Sequence, residues 1–345
     1  MKLKILLLIA ILSIGANSTY SALGNPKQDT LAIGFWNLEN LYDTVDDPKI
    51  NDEDFLPTSK YKWTEERYNE KLSHLSTVIH LMNSGKGPDI IGFAEVENKG
   101  VVQGLIKSNV KDIKYNIAHM DSPDIRGIDC AMIYKKDKFK LVKLEADSVH
   151  LPTNHPTRLI LHATFNFNKE VLHVFVNHWP SRLGGQEESE RNRVAAAQVL
   201  RARIDAVLKS NPKAGIFIMG DFNDEPDNVS ITKELGAEHF VCGNADESFT
   251  LHNLAWERKS KGEGTLKYKN TWNLLDQIIV SSSLVSTKKS ALKYICGSFE
   301  IFQRDFMLET DPKYLGSPLP TFGGTKYLAG YSDHFPVLAK FLFVK

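Results

Sequence analysis

The chain has 345 residues, 42 of them basic and 42 acidic, and 42% of the residues are hydrophobic. This much apolar surface is enough to bury a large core and excludes a disordered chain. A formal net charge of zero argues against a strongly basic nucleic-acid binder but does not exclude a local basic groove.

The N-terminus has the layout of a secretory signal peptide. Lys2 and Lys4 precede an apolar run at residues 5–12, and small residues follow up to Ala22. The run is too short to span a bilayer, and we expect no stable membrane insertion. We therefore expect residues 1–22 to be cleaved, the remaining 23–345 to form one domain, and the protein to be exported to the periplasm or the extracellular space.

Apolar runs of strand length recur along the rest of the chain. They lie at 31–36, 90–94, 130–134, 159–165, 171–176, 216–219, 278–280 and 337–343. Several are almost continuously hydrophobic, which is typical of strands buried on both faces. The sequence therefore predicts a sheet-rich core.

Two amphipathic helices are predicted between these strands. Thr64 can cap the first, in which Tyr68, Leu72 and Leu75 recur at spacings of four and three. The second spans residues 188–208 and ends shortly before a proline. Strands interleaved with helices indicate a layered α/β domain.

Other segments fall outside this pattern. Residues 43–62 and 303–331 look like long excursions from the core.

Three cysteines, Cys130, Cys242 and Cys296, are too few for a disulfide framework. A single bridge between Cys242 and Cys296 is left open by the sequence.

Polar side chains adjoin six of the apolar runs, just after four of them and just before the other two. They are Asn37 and Glu39, Glu95, His178 and Arg182, Asp221 and Asn223, Asp276, and Asp333 and His334. Strand ends collect in one crevice of a layered fold. Any one of these residues alone could belong to a turn or face solvent. A buried charge needs a partner, so their repetition favours a functional cluster.

These motifs run in a recognisable order. Gly220-Asp221-Phe222-Asn223 and Ser332-Asp333-His334, supported by Asn37, Glu95 and Leu275-Asp276, resemble the endonuclease/exonuclease/phosphatase superfamily. That superfamily includes deoxyribonucleases, sphingomyelinases and inositol polyphosphate phosphatases. The resemblance covers nearly all of the chain after the signal peptide. It implies a four-layer α/β sandwich, with two mixed β-sheets face to face and helices outside.

The resemblance also implies a metal site, in agreement with the demands of phosphate-ester hydrolysis. Glu95 is expected to bind Mg²⁺, with Mn²⁺ or Ca²⁺ as alternatives, because a hard ion prefers carboxylate oxygens. Glu39 and Asp333 are expected as further ligands or as their partners. Asn37 would hydrogen-bond within the cluster and hold the carboxylates in place.

The catalytic roles follow the same resemblance. Asp221 would orient or deprotonate the attacking water, and Asn223 would fix the phosphate. His334 would approach a phosphate oxygen while Asp276 orients its ring. His178 matches a second histidine of the deoxyribonuclease and sphingomyelinase branches. Both histidines are expected to act as charged donors in the transition state.

Substrate contacts are less sharply indicated. Arg126, Arg158 and Arg182 lie near predicted strand ends and could contact phosphate, although Arg158 could equally be a structural ion-pair partner. Loop 256–272 carries several basic residues around Tyr268. Such a loop could hold a polyanion by ion pairing and base stacking, or could be a solvated hairpin.

Three functions follow from these observations. The first is an exported, metal-dependent phosphodiesterase that cleaves nucleic acid as an endonuclease, by in-line attack of water. The alternative is a phosphoesterase that acts on a lipid head group or a small phosphorylated metabolite. A non-catalytic binding protein is disfavoured because every carboxylate and the terminal histidine are present. We expect a monomer.

Overall fold

The computed structural model describes residues 29–243, 250–286 and 291–343. The expected signal peptide at residues 1–22 therefore lies outside the described residues. Within those three ranges, none of the helices has both the length and the hydrophobicity needed to cross a bilayer.

The strands are numbered along the chain. They are β1 (Thr30–Leu41), β2 (Ile90–Val96), β3 (Tyr115–His119), β4 (Asp129–Lys135), β5 (Lys140–Asp147), β6 (Ile160–Phe167), β7 (Glu170–His178), β8 (Gly215–Asp221), β9 (Ala237–His239), β10 (Leu251–Asn253), β11 (Leu266–Tyr268), β12 (Thr271–Asn273), β13 (Asp276–Ser281), β14 (Leu292–Tyr294), β15 (Glu300–Ile301), β16 (Phe322–Gly323), β17 (Lys326–Tyr327) and β18 (Val337–Phe343). The α-helices are α1 (Glu65–Gly85), α2 (Lys99–Lys107), α3 (Gln186–Ser210) and α4 (Trp256–Lys259).

Two mixed seven-stranded sheets contain most of these strands. The first has the order β14-β18-β1-β2-β4-β3, with β15 also paired to β18, and the second has the order β5-β6-β7-β8-β13-β10-β9. Two separate hairpins, β11–β12 and β16–β17, lie outside them. In the first sheet β1 and β2 are parallel, and in the second β7 and β8 are parallel.

Three hydrophobic layers separate the sheets and helices. Side chains such as Phe35 and Phe217 fill the space between the two sheets. Trp36 packs on the outer face of the first sheet with residues of α1 and α2. Leu200 of α3 packs with Ile216 on the outer face of the second sheet. The structure is thus the predicted four-layer sandwich of helix, sheet, sheet and helix.

The elements expected from periodicity are present. Each of the eight apolar runs lies within or overlaps a strand, and both predicted helices form. The Oγ1 of Thr64 accepts a hydrogen bond from the amide of Arg67, 3.5 Å away, and caps α1. Helix α2 was not predicted, because it is too short to show a periodic apolar stripe. It is capped by Asn98, whose Oδ1 accepts from the amide of Val101 at 3.1 Å.

The two excursions contain little regular structure and meet at one edge of the molecule. Residues 43–62 contain a short 3₁₀ turn, Glu53–Phe55. Residues 303–331 contain another, Asp305–Met307, and the β16–β17 hairpin. The rings of Tyr61 and Phe322 lie 4.8 Å apart, so the excursions pack against each other through aromatic side chains.

A disulfide connects the two sheets. Cys242 and Cys296 are bonded, with their Cα atoms 5.6 Å apart. Cys242 follows β9 of the second sheet, whereas Cys296 lies between β14 and β15 of the first. Cys130 is buried and free. The pairing that the sequence left open is the one found.

Candidate active site

Strand alternation brings three predicted site residues together in the second sheet. On β8, Phe217 and Met219 point into the core between the sheets, so Asp221, two residues later, points to the same side. In the sheet register Asp221 pairs with His178 of β7 and with Asp276 of β13. The three side chains therefore line the end of the core as neighbours.

The first sheet supplies Asn37 and Glu95 opposite them. Asn37 follows Phe35 on the inner face of β1. The β1–β2 and β2–β4 pairings both shift register around Glu95, whose φ is 60°. This bulge breaks the alternation, so Glu95 is turned toward the cleft while Val96 packs on the outer face.

Hydrogen bonds join these groups across the cleft. Asn37 Nδ2 donates to Asp221 Oδ2 at 3.1 Å and to Glu95 Oε1 at 3.4 Å. The amide of Asn223 donates to Asp221 Oδ1 at 2.9 Å, and Asn223 Nδ2 donates to the carbonyl of Trp179 at 3.0 Å. Asn37 thus connects the carboxylates of the two sheets, as expected from the sequence.

His334 and Asp276 form a buried pair. His334 Nδ1 lies 2.7 Å from Asp276 Oδ2, which also accepts from the hydroxyl of Thr265. Burial alone would lower the pKa of His334, but the negative charges of Asp276, Asp333 and Asp221 outweigh it and raise the pKa well above its usual value. His334 is therefore charged at neutral pH, with Nε2 3.9 Å from Asp221 Oδ2.

His178 lies on the other side of Asp221. Its Nε2 is 3.8 Å from Asp221 Oδ2 and 3.9 Å from Glu95 Oε1. Burial, together with the positive charges of Arg158, Arg126 and His334, lowers the pKa of His178 well below its usual value. The expectation of two charged histidines therefore fits His334 but not His178, which is neutral at pH 7.

The pKa of Asp221 is unusually high for an aspartate. Burial raises its pKa to about 6, with the charge of Asp276 adding to the rise and that of His334 opposing it. At pH 7 most of the population is a carboxylate. Such a group is a better proton acceptor than an ordinary aspartate.

Three carboxylates have a donor set suited to a hard cation. The amide of Thr321 donates to Glu39 Oε2 at 2.7 Å, and the amide of Asn40 donates to Glu95 Oε2 at 2.9 Å, so both carboxylates are oriented by backbone groups. Among the described residues no group donates a hydrogen bond to Asp333, which lines a cavity. These oxygens fit the preference of Mg²⁺.

Asp221, Asp276 and His334 form another group of side chains that could hold a metal ion. Ligand atoms of Asp221, Asp276 and His334 lie within 4.8 Å of one another, a spacing that a metal ion could bridge and that Glu39, Glu95 and Asp333 do not share in the described residues. However, Asp276 Oδ2 and His334 Nδ1 are already bonded to each other. This bond favours proton handling by His334 and Asp276, and the cation site at Glu39, Glu95 and Asp333 stays a prediction from the sequence.

The predicted arginines mainly connect protein groups. Arg158 is buried and binds Asp124 at 3.0 Å and the carbonyls of His178 and Trp179, at 3.2 and 2.7 Å. These contacts favour the structural alternative for Arg158.

Arg182 likewise donates a hydrogen bond to the loop after β8. Its Nε donates to the carbonyl of Asn223 at 2.7 Å, and its side chain is 22% exposed. Arg126 is more accessible, with a side chain that is 48% exposed. Of the three, Arg126 is thus the one with most surface available to a ligand.

The basic loop 256–272 is partly neutralised within the protein. Three of its cations are held by Glu263, Glu225 and the carbonyl of Leu315, respectively: Arg258 at 3.2 Å, Lys259 at 2.9 Å and Lys267 at 3.3 Å. Tyr268 is 61% exposed, and Lys269 Nζ lies 5.3 Å from its ring centre. The structure therefore leaves Tyr268 free to stack but weakens the case for a basic groove.

Two residues of the site were missed from the sequence. Lys71 of α1 is 1% exposed and donates to the carbonyl of Glu39 at 2.5 Å and to Thr321 Oγ1 at 2.6 Å. In the sequence, Lys71 is marked by its position next to the apolar stripe at Leu72 and Leu75. Thr321 lies in an excursion, where no periodic pattern could mark it.

One cavity has Asp333 in its lining, and a second has Glu97, two residues after Glu95, in its lining. One of about 640 Å³ opens beside Asp333, and its charged lining residues are Lys267, Glu309, Asp311, Lys326 and Asp333. Another of about 380 Å³ is lined by Asp47, Lys49, Glu97, Asp121, Asp124 and Asp129. Acidic groups outnumber basic ones in both.

Comparisons with known proteins agree with this geometry. The model of a family described as Endonuclease/Exonuclease/phosphatase family matches residues 32–342. No curated protein matches the chain.

Several solved structures share the fold. D. rerio TDP2 complexed with a single strand DNA product is 16% identical, with a TM-score of 0.56 over 90% of this chain and 98% of that one. The human Nocturnin catalytic domain with bound sulfate is 17% identical, with a TM-score of 0.54 over 92% and 98%. A mannosyl-6-phosphatase of Bacteroides thetaiotaomicron is 13% identical, with a TM-score of 0.54 over 91% and 100%. At these identities the likeness extends to the fold alone.

Proposed function

The chain belongs to the endonuclease/exonuclease/phosphatase family and is a metal-dependent phosphoesterase, and we propose that it is an exported enzyme that hydrolyses a compact phosphate ester by in-line attack of water. The fold alone leaves the substrate open. Similar folds occur in TDP2 with a DNA product and in a mannosyl-6-phosphatase.

The charge of the residues that line the two cavities favours a compact ester over a long nucleic acid. The cavity beside Asp333 has three acidic and two basic lining residues, and the one beside Glu97 has five acidic residues and one basic residue. A groove for long nucleic acid needs an excess of positive charge along the backbone path. A volume of about 640 Å³ is instead suited to a small ligand.

The catalytic roles follow from the proton states of the site. Asp221 is held by Asn37 and by the amide of Asn223, so its carboxylate has a fixed orientation. With its pKa raised to about 6 by burial, it can accept the proton of the attacking water at neutral pH. We assign it the role of general base.

His334 is placed to stabilise negative charge. Asp276 fixes its ring through Nδ1, which leaves the Nε2 proton to be donated to a phosphate oxygen or to the leaving oxygen. Neutral His178 lies on the opposite side of Asp221 and can offer one further hydrogen bond. A divalent ion held by Glu95, Glu39 and Asp333 would supply charge neutralisation for the phosphate oxygens.

Export is supported by two independent features. Residues 1–22 have the layout of a cleaved signal peptide. Cys242 and Cys296 are joined in a disulfide, and such bonds persist in oxidising compartments. We therefore place the enzyme in the periplasm or outside the cell.

Nucleic acid is the second candidate substrate. Tyr268 is 61% exposed with Lys269 beside its ring, an arrangement on which a single-stranded base could stack. This candidate requires the substrate to reach the cleft across acidic rims.

Hydrolysis assays with several substrates test the proposal. The purified protein would be assayed with Mg²⁺, Mn²⁺ or chelator on plasmid and single-stranded DNA, a chromogenic phosphodiester, phosphorylated sugars and a phosphorylated lipid. We expect metal-dependent release from the chromogenic ester and at least one small phosphorylated metabolite, lowered by about 10²–10⁴-fold in Asp221→Asn. Cleavage of DNA with no small-ester hydrolysis would instead support the endonuclease, and Tyr268→Ala should then reduce it. Absence of metal-dependent activity on every ester would contradict the proposal.

A further inference from the structure

Arg182 lies in the loop after β7, and its guanidinium is bonded to two other segments of the chain. Its Nε donates to the backbone carbonyl of Asn223 at 2.7 Å, its Nη1 to Asn273 Oδ1 at 3.2 Å, and its Nη2 to Asn228 Oδ1 at 3.2 Å. Every nitrogen of the guanidinium therefore has a protein acceptor. This planar fork of donors holds the loop after β7, the loop after β8 and β12 together.

Asp224 anchors Arg182 from the protein interior. Its Oδ1 lies 3.5 Å from Arg182 Nη2, its Oδ2 lies 2.8 Å from Arg193 Nε on α3, and Oδ2 also accepts from the hydroxyl of Ser230 at 2.6 Å. Asp224 and Arg193 are both 0% exposed. Because a buried charge is unfavourable without a partner, the carboxylate and the two guanidiniums stabilise one another. Arg182 is thereby linked to α3 as well as to the strand ends.

Asn223 connects Arg182 to the proposed general base. Its amide donates to Asp221 Oδ1 at 2.9 Å, while its carbonyl accepts from Arg182. Its φ is 50°, in the left-handed region that a residue with a Cβ atom seldom adopts. Contacts on both sides of the residue must therefore hold this conformation. The bond from Arg182 is on the carbonyl side, so it helps to fix the direction in which the amide points toward Asp221.

We propose that Arg182 is a positioning residue of the active site, which acts on Asp221 through the backbone of Asn223 and does not contact the phosphate. Without the guanidinium, Asn223 can relax toward a more common backbone conformation and withdraw its amide from Asp221. The carboxylate then keeps its bond from Asn37 but can rotate about it, so the attacking water is less well oriented. This inference rests on the proposed role of Asp221 as general base.

Kinetics of Arg182 variants separate positioning from phosphate contact. The full protein would be assayed in saturating Mg²⁺ on the chromogenic ester, with inorganic phosphate as a competitive inhibitor. In Arg182→Gln we expect kcat to fall by about 10²-fold, a loss that a small misplacement of a catalytic group can cause, with KM and the inhibition constant of phosphate unchanged. Arg182→Lys keeps the charge but not the planar fork, so we expect the same fall.

A double-mutant cycle tests whether Arg182 acts through Asp221. Groups that act as one unit have non-additive effects. We therefore expect Arg182→Gln to cause no further fall in kcat when it is added to Asp221→Asn. An arginine that binds phosphate independently would lower the rate in both backgrounds.

Two further variants serve as controls. Asn273→Ala removes one acceptor of Arg182 but leaves the guanidinium in place, so it should lower kcat at unchanged KM, and it keeps the proposal testable if Arg182→Gln does not fold. Arg201→Gln on α3 is the matched control, because Arg201 is 28% exposed, against 22% for Arg182, and donates to the carbonyl of Leu235 and to Thr250 Oγ1. It should keep the wild-type kcat and KM.

Each outcome has a definite meaning. Wild-type kcat in folded Arg182→Gln or Arg182→Lys would overturn the inference alone, since the enzyme itself is then active. A rise in KM and in the phosphate inhibition constant that accounts for the whole loss of kcat/KM would overturn it as well, and so would additive losses in the double variant. A wild type that hydrolyses no ester would refute the proposed function itself, and the inference would fall with it.

Discussion

Asp221 and Asp276 lie opposite each other on β8 and β13, yet their surroundings give them different tasks. Asp276 is bonded to His334 and to Thr265, so its charge serves to hold the imidazole and stabilise its protonated form. In the described part of the chain the Asp221 carboxylate accepts hydrogen bonds from amide groups of Asn37 and Asn223, which orient it and leave it able to accept a proton. Two similar carboxylates thereby divide orientation and proton transfer between them.

Asp221→Asn and His334→Ala should separate catalysis from folding. Asparagine keeps the shape of aspartate and can still accept one of the two hydrogen bonds from Asn37 and Asn223, but it cannot act as a base, and alanine removes the charged donor. We expect kcat/KM to fall by about 10²–10⁴-fold in each, while the circular dichroism spectrum is retained. Asp137→Asn, at a 64% exposed side chain between β4 and β5, is the control and should keep full activity. Wild-type rates in either site variant would refute the assigned roles.

The raised pKa of Asp221 predicts an acidic limit to activity. Burial raises that pKa to about 6, so the carboxylate that must accept a proton is progressively protonated as the pH falls through this value. We expect log kcat/KM to decline with a slope of one below about pH 6 and to level off above it. Steady-state kinetics in saturating metal would measure this. A profile that stays flat down to pH 4.5 would exclude protonation of Asp221 as the limiting event.

At the scale of elements, the site depends on how closely β7 and β8 approach. A Cβ atom at Gly220 would lie 2.4 Å from the backbone carbonyl oxygen of Asn177, a contact that real Cβ atoms do not make. Gly220 precedes Asp221, and Asn177 precedes His178. Any side chain here would therefore push apart the two strands that carry these residues.

Gly220→Ala should accordingly lower both stability and activity. We expect a loss of about 1–3 kcal/mol, the usual cost of overpacking a filled site, and a fall in kcat that a small displacement of Asp221 would cause. Gly215→Ala, at the other end of β8, is the matched control, because its Cβ would meet the flexible ends of two side chains, Leu172 at 2.9 Å and Leu284 at 3.6 Å, and no backbone atom. Urea unfolding and kinetics of both variants provide the measurement. Equal stability for the two would contradict the argument.

The strands and their polar ends were predictable because apolar alternation continues up to the catalytic residues. Asn37, His178, Asp221 and Asp276 each extend the inward-facing pattern of their strand. Glu95 departs from that pattern through a bulge, and its position was inferred from a motif rather than from periodicity.

Contacts between distant segments were not predictable in the same way. A lysine beside an apolar stripe normally extends its ammonium to solvent, whereas Lys71 is buried and donates to Thr321, 250 residues away. Burial, together with the charges of Arg158 and Arg126, lowers the pKa of His178, and only the tertiary structure buries this histidine and brings the two arginines near it. Local sequence patterns contain no signal for either arrangement.

At the scale of the whole molecule, the active site lies where the two sheets meet, so anything that holds the sheets together also preserves the site. Asn37 and Glu95 come from the first sheet, whereas His178, Asp221 and Asp276 come from the second. The core between the sheets supplies most of this cohesion. The disulfide between Cys242 and Cys296 adds one covalent connection between them.

Removing that disulfide should destabilise the protein, and the size of the effect tests whether the disulfide supports export. The bond closes a loop with a sequence separation of 54 residues, and its loss should cost about 2–4 kcal/mol, mainly by freeing the unfolded chain. Cys242→Ser with Cys296→Ser, and the wild type in reductant, should show the same lowered urea midpoint. Reductant should not shift the double variant further, because Cys130 is buried and free. An unchanged midpoint would show that the bond does not contribute to stability, and the disulfide would then no longer support export.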